Sequence, residues 1–316
     1  MSKTHIEISE VGPRDGLQSI TPIMSTADKK AWIAAEAAAG VREIEVGSFV
    51  PARILPQLAD TAELVAFART IPGLTVAVLV PNFKGAAAAV EAGAHKITIP
   101  LSVSETHSLR NVNRTHAQML EETARIAELI MGRPEAERPK FEGGLSTAFG
   151  CTLEGAIPDA TLLRLAEGLM AAGCDEVGLS DTTGYANPAQ VKRLIRLVRG
   201  AVGEAAVTGV HLHNTRGLGL ANVLAALDEG IVTVDASLGG IGGCPFAPGA
   251  SGNIVTEDLA FMLEAMGYET GVDLEALIAV RQQVQAALPA VELYGFTPES
   301  GLPLGFAQGQ GWGASV

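Results

Sequence analysis

The sequence predicts an α/β protein built as a single (β/α)8 barrel with a C-terminal helical extension. Three observations lead there. First, 47% of the 316 residues are hydrophobic and 18% charged, ample for a large core, yet only 4% are aromatic, so Ala, Leu, Val and Ile must fill it. Second, one joint recurs: an Ala-rich, helix-period run ends on small residues and Gly, and a β-branched strand follows at once. It reads AAAG-VREIEV at 37–46, EAG-AHKITI at 91–99, AAG-CDEVGLS at 171–180, and DEG-IVTVDAS ending at 237. Third, eight candidate strands alternate with helices over about 265 residues, the size and rhythm of a TIM barrel.

In chain order the strands are His5–Ser9, Arg42–Val46, Thr75–Val80, His95–Pro100, Phe141–Ala148, Asp175–Ser180, Val207–His213 and Val232–Ser237. Gly40, Gly93, Gly173 and Gly230 read as residues just past helix ends, where a left-handed backbone closes the helix without a Cβ penalty. Ser25 and Thr256 precede apolar-periodic runs and mark helix starts, and Asn187-Pro188 reads as an N-cap followed by Pro at the first helical position. A doubly wound sheet is the alternative. It usually has fewer strands and a G-x-G-x-x-G after strand one, where this chain has VGPRDGLQ. Residues 1–290 are expected to form the barrel domain and 291–316 a tail. Within the tail, Gly301–Val316 is Gly-rich and aperiodic, expected to pack loosely or to order on a partner.

Thirty-five acids against 22 bases leave a net charge of −13. A nucleic-acid binder needs a basic stripe to displace counterions, and anionic membrane surfaces repel such a chain, so neither partner is expected. No run approaches the ~18 apolar residues of a membrane span. The N-terminus lacks the apolar core of a secretory signal. Three cysteines, an odd and sparse count, fit a reducing compartment, the cytoplasm.

In a barrel the chemistry sits on loops after the strands' C-terminal ends. Arg14 and Asp15 follow strand one, Glu45 ends strand two, and His211-Leu212-His213-Asn214 ends strand seven. The loop GGIGGCPFAPGASGN after strand eight carries Cys244 and Asn253. His211 and His213 are two apart on a strand, so both rings face one side. A lone H-x-H is equally a pair of polar residues at a strand end. With Asp15 as a third ligand and Asn253 as an amide-oxygen fourth, it becomes a divalent-metal set whose oxygen content leans toward Mg or Mn over Zn. Arg14 beside Asp15 either stabilises a developing oxyanion or forms a structural ion pair with Glu45, or both. Cys244, flanked by glycines, is a candidate mobile acid–base thiol, whereas Cys151 and Cys174 read as small buried hydrophobes. His107 and His116 flank the polar stretch SETHSLRNVNRTH after strand four, either a solvated loop or part of an acyl or CoA pocket.

Several long motifs then agree in order. E-V-G-P-R-D-G-L-Q at 10–18, I-E-V-G-S-F-V at 44–50, P-Q at 56–57, V-P-N-F-K-G at 80–85, H-L-H-N-T-R-G-L-G-L-A-N at 211–222 and G-G-C-P-F-A-P-G-A-S-G-N at 242–253 resemble the hydroxymethylglutaryl-CoA lyase family over about residues 5–290. The resemblance implies a metal-dependent carbon–carbon lyase on a TIM barrel. Its implied divalent-metal ligands are Asp15, His211, His213 and Asn253. It makes Arg14 the arginine that neutralises a thioester enolate and Glu45 the strand-two acid near it. Cys244 matches the loop thiol needed for turnover and Asp181 the strand-six acid. The expected reaction is retro-Claisen cleavage of a 3-hydroxy-3-methylacyl-CoA, with 3-hydroxy-3-methylglutaryl-CoA (HMG-CoA) giving acetoacetate and acetyl-CoA. Asp15 or His211 would take the hydroxyl proton, and the partners would be an acyl-CoA thioester and further copies of the chain.

The family pattern is broken at four places. Its R-G-Y in strand five falls where this chain reads Phe141-Glu142-Gly143-Gly144. Cys151 is followed by Thr152-Leu153-Glu154-Gly155, a lysine is replaced by Thr21, and a strand-six serine by Gly178. These departures surround the acyl group and motivate a rival, a sister lyase for citramalyl-CoA, methylmalyl-CoA or a longer analogue. A condensing synthase of the isopropylmalate type and a catalytically dead scaffold are the remaining rivals.

Overall fold

A computed structural model of the chain describes residues 4–242 and 252–308. Eight strands close a parallel barrel in chain order, with β8 pairing back onto β1. They are β1 (Glu7–Glu10), β2 (Glu43–Ser48), β3 (Thr75–Leu79), β4 (Lys96–Ser102), β5 (Lys140–Ser146), β6 (Glu176–Ser180), β7 (Gly209–His211) and β8 (Thr233–Ala236). The connections carry α1 (Thr26–Ala38), α2 (Thr61–Ala68), α3 (Phe83–Ala92), α4 (Glu105–Val112), α5 (His116–Met131), α6 (Asp159–Ala171), α7 (Pro188–Val202) and α8 (Gly219–Leu227).

The expected joints hold. Gly40, Gly93, Gly173 and Gly230 all have positive φ, between 77° and 104°. Ser25 accepts from the Asp28 N–H at 3.1 Å, and Asn187 accepts from the Gln190 N–H at 3.1 Å ahead of Pro188. Two details differ. Thr256 is the first residue of α9 (Thr256–Ala265), not its cap, because its hydroxyl is drawn away to donate to Glu10 at 2.7 Å. Strand seven ends at His211 rather than His213, because His213 leaves the sheet to form an isolated bridge with Asn253.

Strand alternation explains where the core sits. Ile8, Ile44, Val76, Val78, Ile97, Ile99, Phe141, Leu145, Val177, Leu179, Val210 and Val234 are buried in the single hydrophobic cluster that fills the space between sheet and helices. The opposite face of the same strands is polar. TIM-barrel interiors are normally packed with branched apolar residues. Here Ser9, Glu43, Glu45, Lys96, Thr98, Glu142, Glu176 and Asp235 line a cavity of about 790 Å³ that opens at the strands' C-terminal rim. Lys96 reaches Glu142 at 2.8 Å, Glu43 at 3.3 Å and Glu176 at 3.4 Å.

The helical extension is α10 (Leu274–Ala287), packed on α1, and the short α11 (Phe296–Ser300), packed on α9. Arg281 on α10 donates to the carbonyls of Leu293 and Tyr294 and pairs with Glu257 on α9. Asp258 accepts from the N–H groups of Phe296 and Thr297, and the Tyr294 N–H reaches the Gly239 carbonyl at 2.7 Å. The Gln308 side chain bonds both Leu274 and Val272. Residues 291–308 are therefore tied to the barrel's own last helices. Among the described residues no helix is long and apolar enough to cross a membrane.

Candidate active site

The site is assembled by the turn after β1. Residues Gly12–Gly16 wind a tight turn in which the Asp15 N–H returns to the Val11 carbonyl at 2.7 Å. Glu10, fully buried, fastens that turn to the far end of the chain. Its carboxylate accepts from the Gly12 N–H at 2.8 Å, the Leu238 N–H at 3.0 Å and the Thr256 hydroxyl at 2.7 Å. The loops after β1 and β8 thus share one anchor. No local motif announces Glu10 as that anchor, and the sequence reading missed it.

Asp15, His211 and His213 each place a ligand atom within 4.8 Å of the others. The two imidazole Nε2 atoms face each other at 3.0 Å, and Asp15 Oδ2 lies 4.0 Å from His211 Nε2. Asn253 joins them from the loop after β8, its Nδ2 donating to Asp15 Oδ2 at 2.8 Å and to the Ile241 carbonyl at 3.2 Å. Gly242 lets these groups come together: it has φ of +127°, and a Cβ there would lie 2.3 Å from Asn253 Nδ2 and 3.1 Å from Asp15 Oδ2.

The electrostatics suit a cation. Burial alone would raise the Asp15 carboxyl, but Arg14, His211 and His213 outweigh it and bring it down to about 2. Burial, then the neighbouring His211, lowers His213 to about 4, so its ring is neutral and able to ligate. Burial opposes charge on His211 too, but the bond from Nδ1 to Asp235 at 3.0 Å and the charge of Asp15 raise it. Asp235, another residue the sequence reading did not single out, thereby orients the ring as an outer carboxylate does for a metal-bound histidine. Asn253 Oδ1 and His213 Nδ1 are buried and make no hydrogen bond of ordinary geometry. A carboxylate, two imidazoles and an orphaned amide oxygen fit a divalent cation.

Arg14 lies against this set. Its Nε donates to Glu45 Oε2 at 2.5 Å and a terminal nitrogen to Asp15 Oδ1 at 2.5 Å, while its other terminal nitrogen has no protein acceptor among the described residues. Burial pushes the Glu45 carboxyl up to about 7 against the pull of Arg14. Gln18 also donates to Asp15 Oδ1, at 2.7 Å.

Six residues expected from the sequence therefore meet on one rim: Arg14, Asp15, Glu45, His211, His213 and Asn253. Asp181 sits beside His211, its N–H donating to the His211 carbonyl at 2.8 Å, but its carboxylate turns to its own loop. Its carboxylate accepts from the N–H groups of Tyr185 at 2.8 Å and Ala186 at 3.1 Å, closing its own turn, and burial raises it to about 6. Cys244 lies outside the described residues. The polar stretch after strand four is α4, capped by Ser104. His107 on it is buried, bonds Ser102 Oγ at 2.7 Å and lines the cavity.

The chain resembles known proteins over most of its length. A sequence profile of the HMGL-like family matches residues 5–284. The mitochondrial hydroxymethylglutaryl-CoA lyase of Macaca fascicularis is 40% identical over 283 residues, covering 90% of this chain and 86% of the relative. The lyase of Pseudomonas mevalonii is 38% identical, covering 90% and 92%. An HMG-CoA lyase of Acinetobacter baumannii, solved in complex with coenzyme A and 3-methylmalate, superposes with a TM-score of 0.88 at 40% identity, covering 96% of this chain and 97% of that one. With a profile spanning most of the barrel and relatives matching about nine-tenths of the chain, the chain belongs to the HMGL-like family of hydroxymethylglutaryl-CoA lyases, metal-dependent carbon–carbon lyases.

Proposed function

We propose that this chain cleaves HMG-CoA into acetoacetate and acetyl-CoA. The observation that carries the reading is the Asp15–His211–His213 cluster with the orphaned Asn253 oxygen, set beside Arg14 at the mouth of a deep cavity. Those four residues would hold a divalent cation, magnesium or manganese by the oxygen content of the set, which supplies Lewis-acid polarisation of the substrate's oxygens and lowers the pKa of its tertiary hydroxyl.

The chain's own groups do the rest. The hydroxyl proton passes to Asp15 or His211, and Asp235 beside Nδ1 stabilises the charged form of the latter. As the proton leaves, the hydroxyl-bearing carbon becomes a ketone and the adjacent C–C bond breaks. Its electron pair moves to the thioester as an enolate. Arg14, held rigid by Glu45 and Asp15 with one nitrogen to spare, receives the enolate oxygen, a fixed charge aimed where charge develops. Cys244 then delivers a proton to the enolate carbon, completing acetyl-CoA. Cys151 and Cys174 are buried and unpaired, which supports a reducing compartment, the cytoplasm, as the setting. The sister-lyase alternative is not favoured, since curated relatives matching about nine-tenths of the chain are HMG-CoA lyases. Incubation of manganese-replete protein with HMG-CoA should yield acetoacetate and acetyl-CoA in equal amounts, and recovery of intact thioester would overturn the reading.

A further inference from the structure

Beneath the two loops that carry the site lies a buried pair of acids that the chemistry does not use. Glu10, two residues after Ile8, points to the outer face of the sheet, away from the carboxylates that line the cavity. There it meets Glu36 on α1. Both side chains are fully buried. Neither Glu36 oxygen makes a hydrogen bond of ordinary geometry; what faces them is the Glu10 carboxyl and the indole of Trp32, one turn earlier on α1. Glu10 already accepts from the N–H groups of Gly12 and Leu238 and from the Thr256 hydroxyl. The Trp32 ring and Glu10 Oε1 both close on Gly12, where a Cβ would lie 2.8 Å from Trp32 Cζ2 and 2.4 Å from Glu10 Oε1.

Among the described residues no cation pairs with Glu10 or Glu36. Glu257 on α9 is the third carboxylate here, and it takes Arg281 of α10 at 3.1 Å and the Gly239 N–H at 3.0 Å. Lys29 on α1 is held by Asp60, and Arg42, past the end of α1, donates to the Ala37 carbonyl. Two adjacent carboxylates sealed from water and without a cation cannot both be charged, so the pair keeps a proton. The bonds already made say which residue holds it. An ionised carboxylate only accepts, and Glu10 accepts three times. Glu36 receives no backbone N–H, so its own O–H is the group that can donate to Glu10. Burial and the charge of Glu10 act in the same direction, raising the Glu36 carboxyl well above its ordinary range.

We propose that Glu36 is a positioning residue: it keeps a proton at neutral pH, donates it in a hydrogen bond to Glu10, and so holds the anchor shared by the loops that bear Arg14, Asp15 and Asn253. Gly12 opens the first of those loops, and Leu238 and Thr256 flank the second. Loss of the proton sets two buried anions side by side and drives both loops off their anchor.

The test compares wild type with Glu36→Gln, which keeps the shape and a donor but cannot ionise, both with saturating magnesium. The unfolded residue is ionised above its ordinary value of 4.5, whereas the folded one keeps its proton. Stability from this residue therefore falls as pH rises. In urea titrations the folding constant of wild type should drop, relative to the variant, about tenfold per unit from pH 7 upward until the proton leaves. Hydrogen exchange at the Gly12 and Leu238 amides, corrected for the intrinsic rate, should lose protection with the same relative slope, because opening that strips them from Glu10 also releases the proton. Glu36→Leu, equally unable to ionise, stands in if the glutamine variant misfolds. Parallel stability curves would mean that Glu36 is charged in the fold, and would overturn the assignment. A tenfold slope in stability with none at Gly12 and Leu238 would leave a held proton with no positioning role, and overturns it too. Neither readout involves substrate, so either failure leaves the lyase reading intact.

Discussion

Replacing Arg14 by Gln removes the one cation shared by Glu45 and Asp15. The guanidinium is only 11% exposed and spans both carboxylates at 2.5 Å. Glutamine is neutral and too short for both bonds. Two effects follow. In catalysis, the enolate oxygen loses its fixed positive partner, and kcat should fall on the order of 10²–10³, or ~2.7–4 kcal/mol, as for loss of an oxyanion donor. In stability, Glu45 loses the charge that restrains it. Its carboxyl stands at about 7 against 4.5 unfolded. A raised carboxyl contributes stability that is present below the unfolded value and lost as pH rises through the folded one, here roughly 3 kcal/mol between those limits. Without Arg14 the folded value climbs further and the window extends above pH 7, so the variant's melting temperature should fall increasingly behind wild type as pH rises from there. The assays are kcat for acetyl-CoA release at saturating manganese, manganese affinity by calorimetry, and thermal melts across pH. Arg14→Lys restores charge without the fork and should recover only part of the rate. A near-wild-type rate for Arg14→Gln, with manganese bound, would reduce Arg14 to a structural partner of Glu45.

His213→Ala should weaken manganese binding strongly while the protein still unfolds cooperatively; unchanged affinity by titration calorimetry would remove His213 from the ligand set. Cys244→Ala should lose about 10²–10⁴ in turnover with metal and fold retained, and Cys244→Ser should not rescue it. Alkylation should inactivate the enzyme, with substrate protecting, and Cys151→Ala and Cys174→Ala should stay sensitive, since both thiols are buried and burial pushes the Cys174 thiol up. Lys96→Met should cost about 3–5 kcal/mol near pH 8, where Glu43 and Glu142 lose their ammonium and Glu176 keeps only that of Lys140, and less near pH 5, since burial already favours the protonated Glu142. Equal losses at both pH values in urea titrations would contradict that account.

The barrel was legible because its signals are local. A helix ending on Gly40 or Gly173 and a strand following at once need only the backbone preferences of a few residues. His211 and His213 were legible for the same reason, since spacing by two on a strand fixes a shared face. What was not legible depends on closure of the ring. Asp15 and Asn253 were expected in one ligand set, but the bond between them, across 238 residues, forms only because β8 pairs with β1. Asp235 behind His211, and Glu10 beneath the two loops, follow from the same register. The expected end of strand seven at His213 failed because a partner on another loop takes that residue out of the sheet. Helix α4 was hidden in a stretch too polar to show apolar periodicity; its Ser104 cap, accepting from the His107 N–H at 3.1 Å, was the available cue.

The most direct test of the central claim is the rate of acetyl-CoA release from HMG-CoA by chelator-stripped protein, before and after one equivalent of manganese or magnesium is returned. The account predicts negligible release from the stripped protein, recovery on addition of the cation, and no recovery in a variant carrying both His211→Ala and His213→Ala. Full release by the stripped protein, or recovery in that variant, would contradict a reaction built on Asp15, His211, His213 and Asn253.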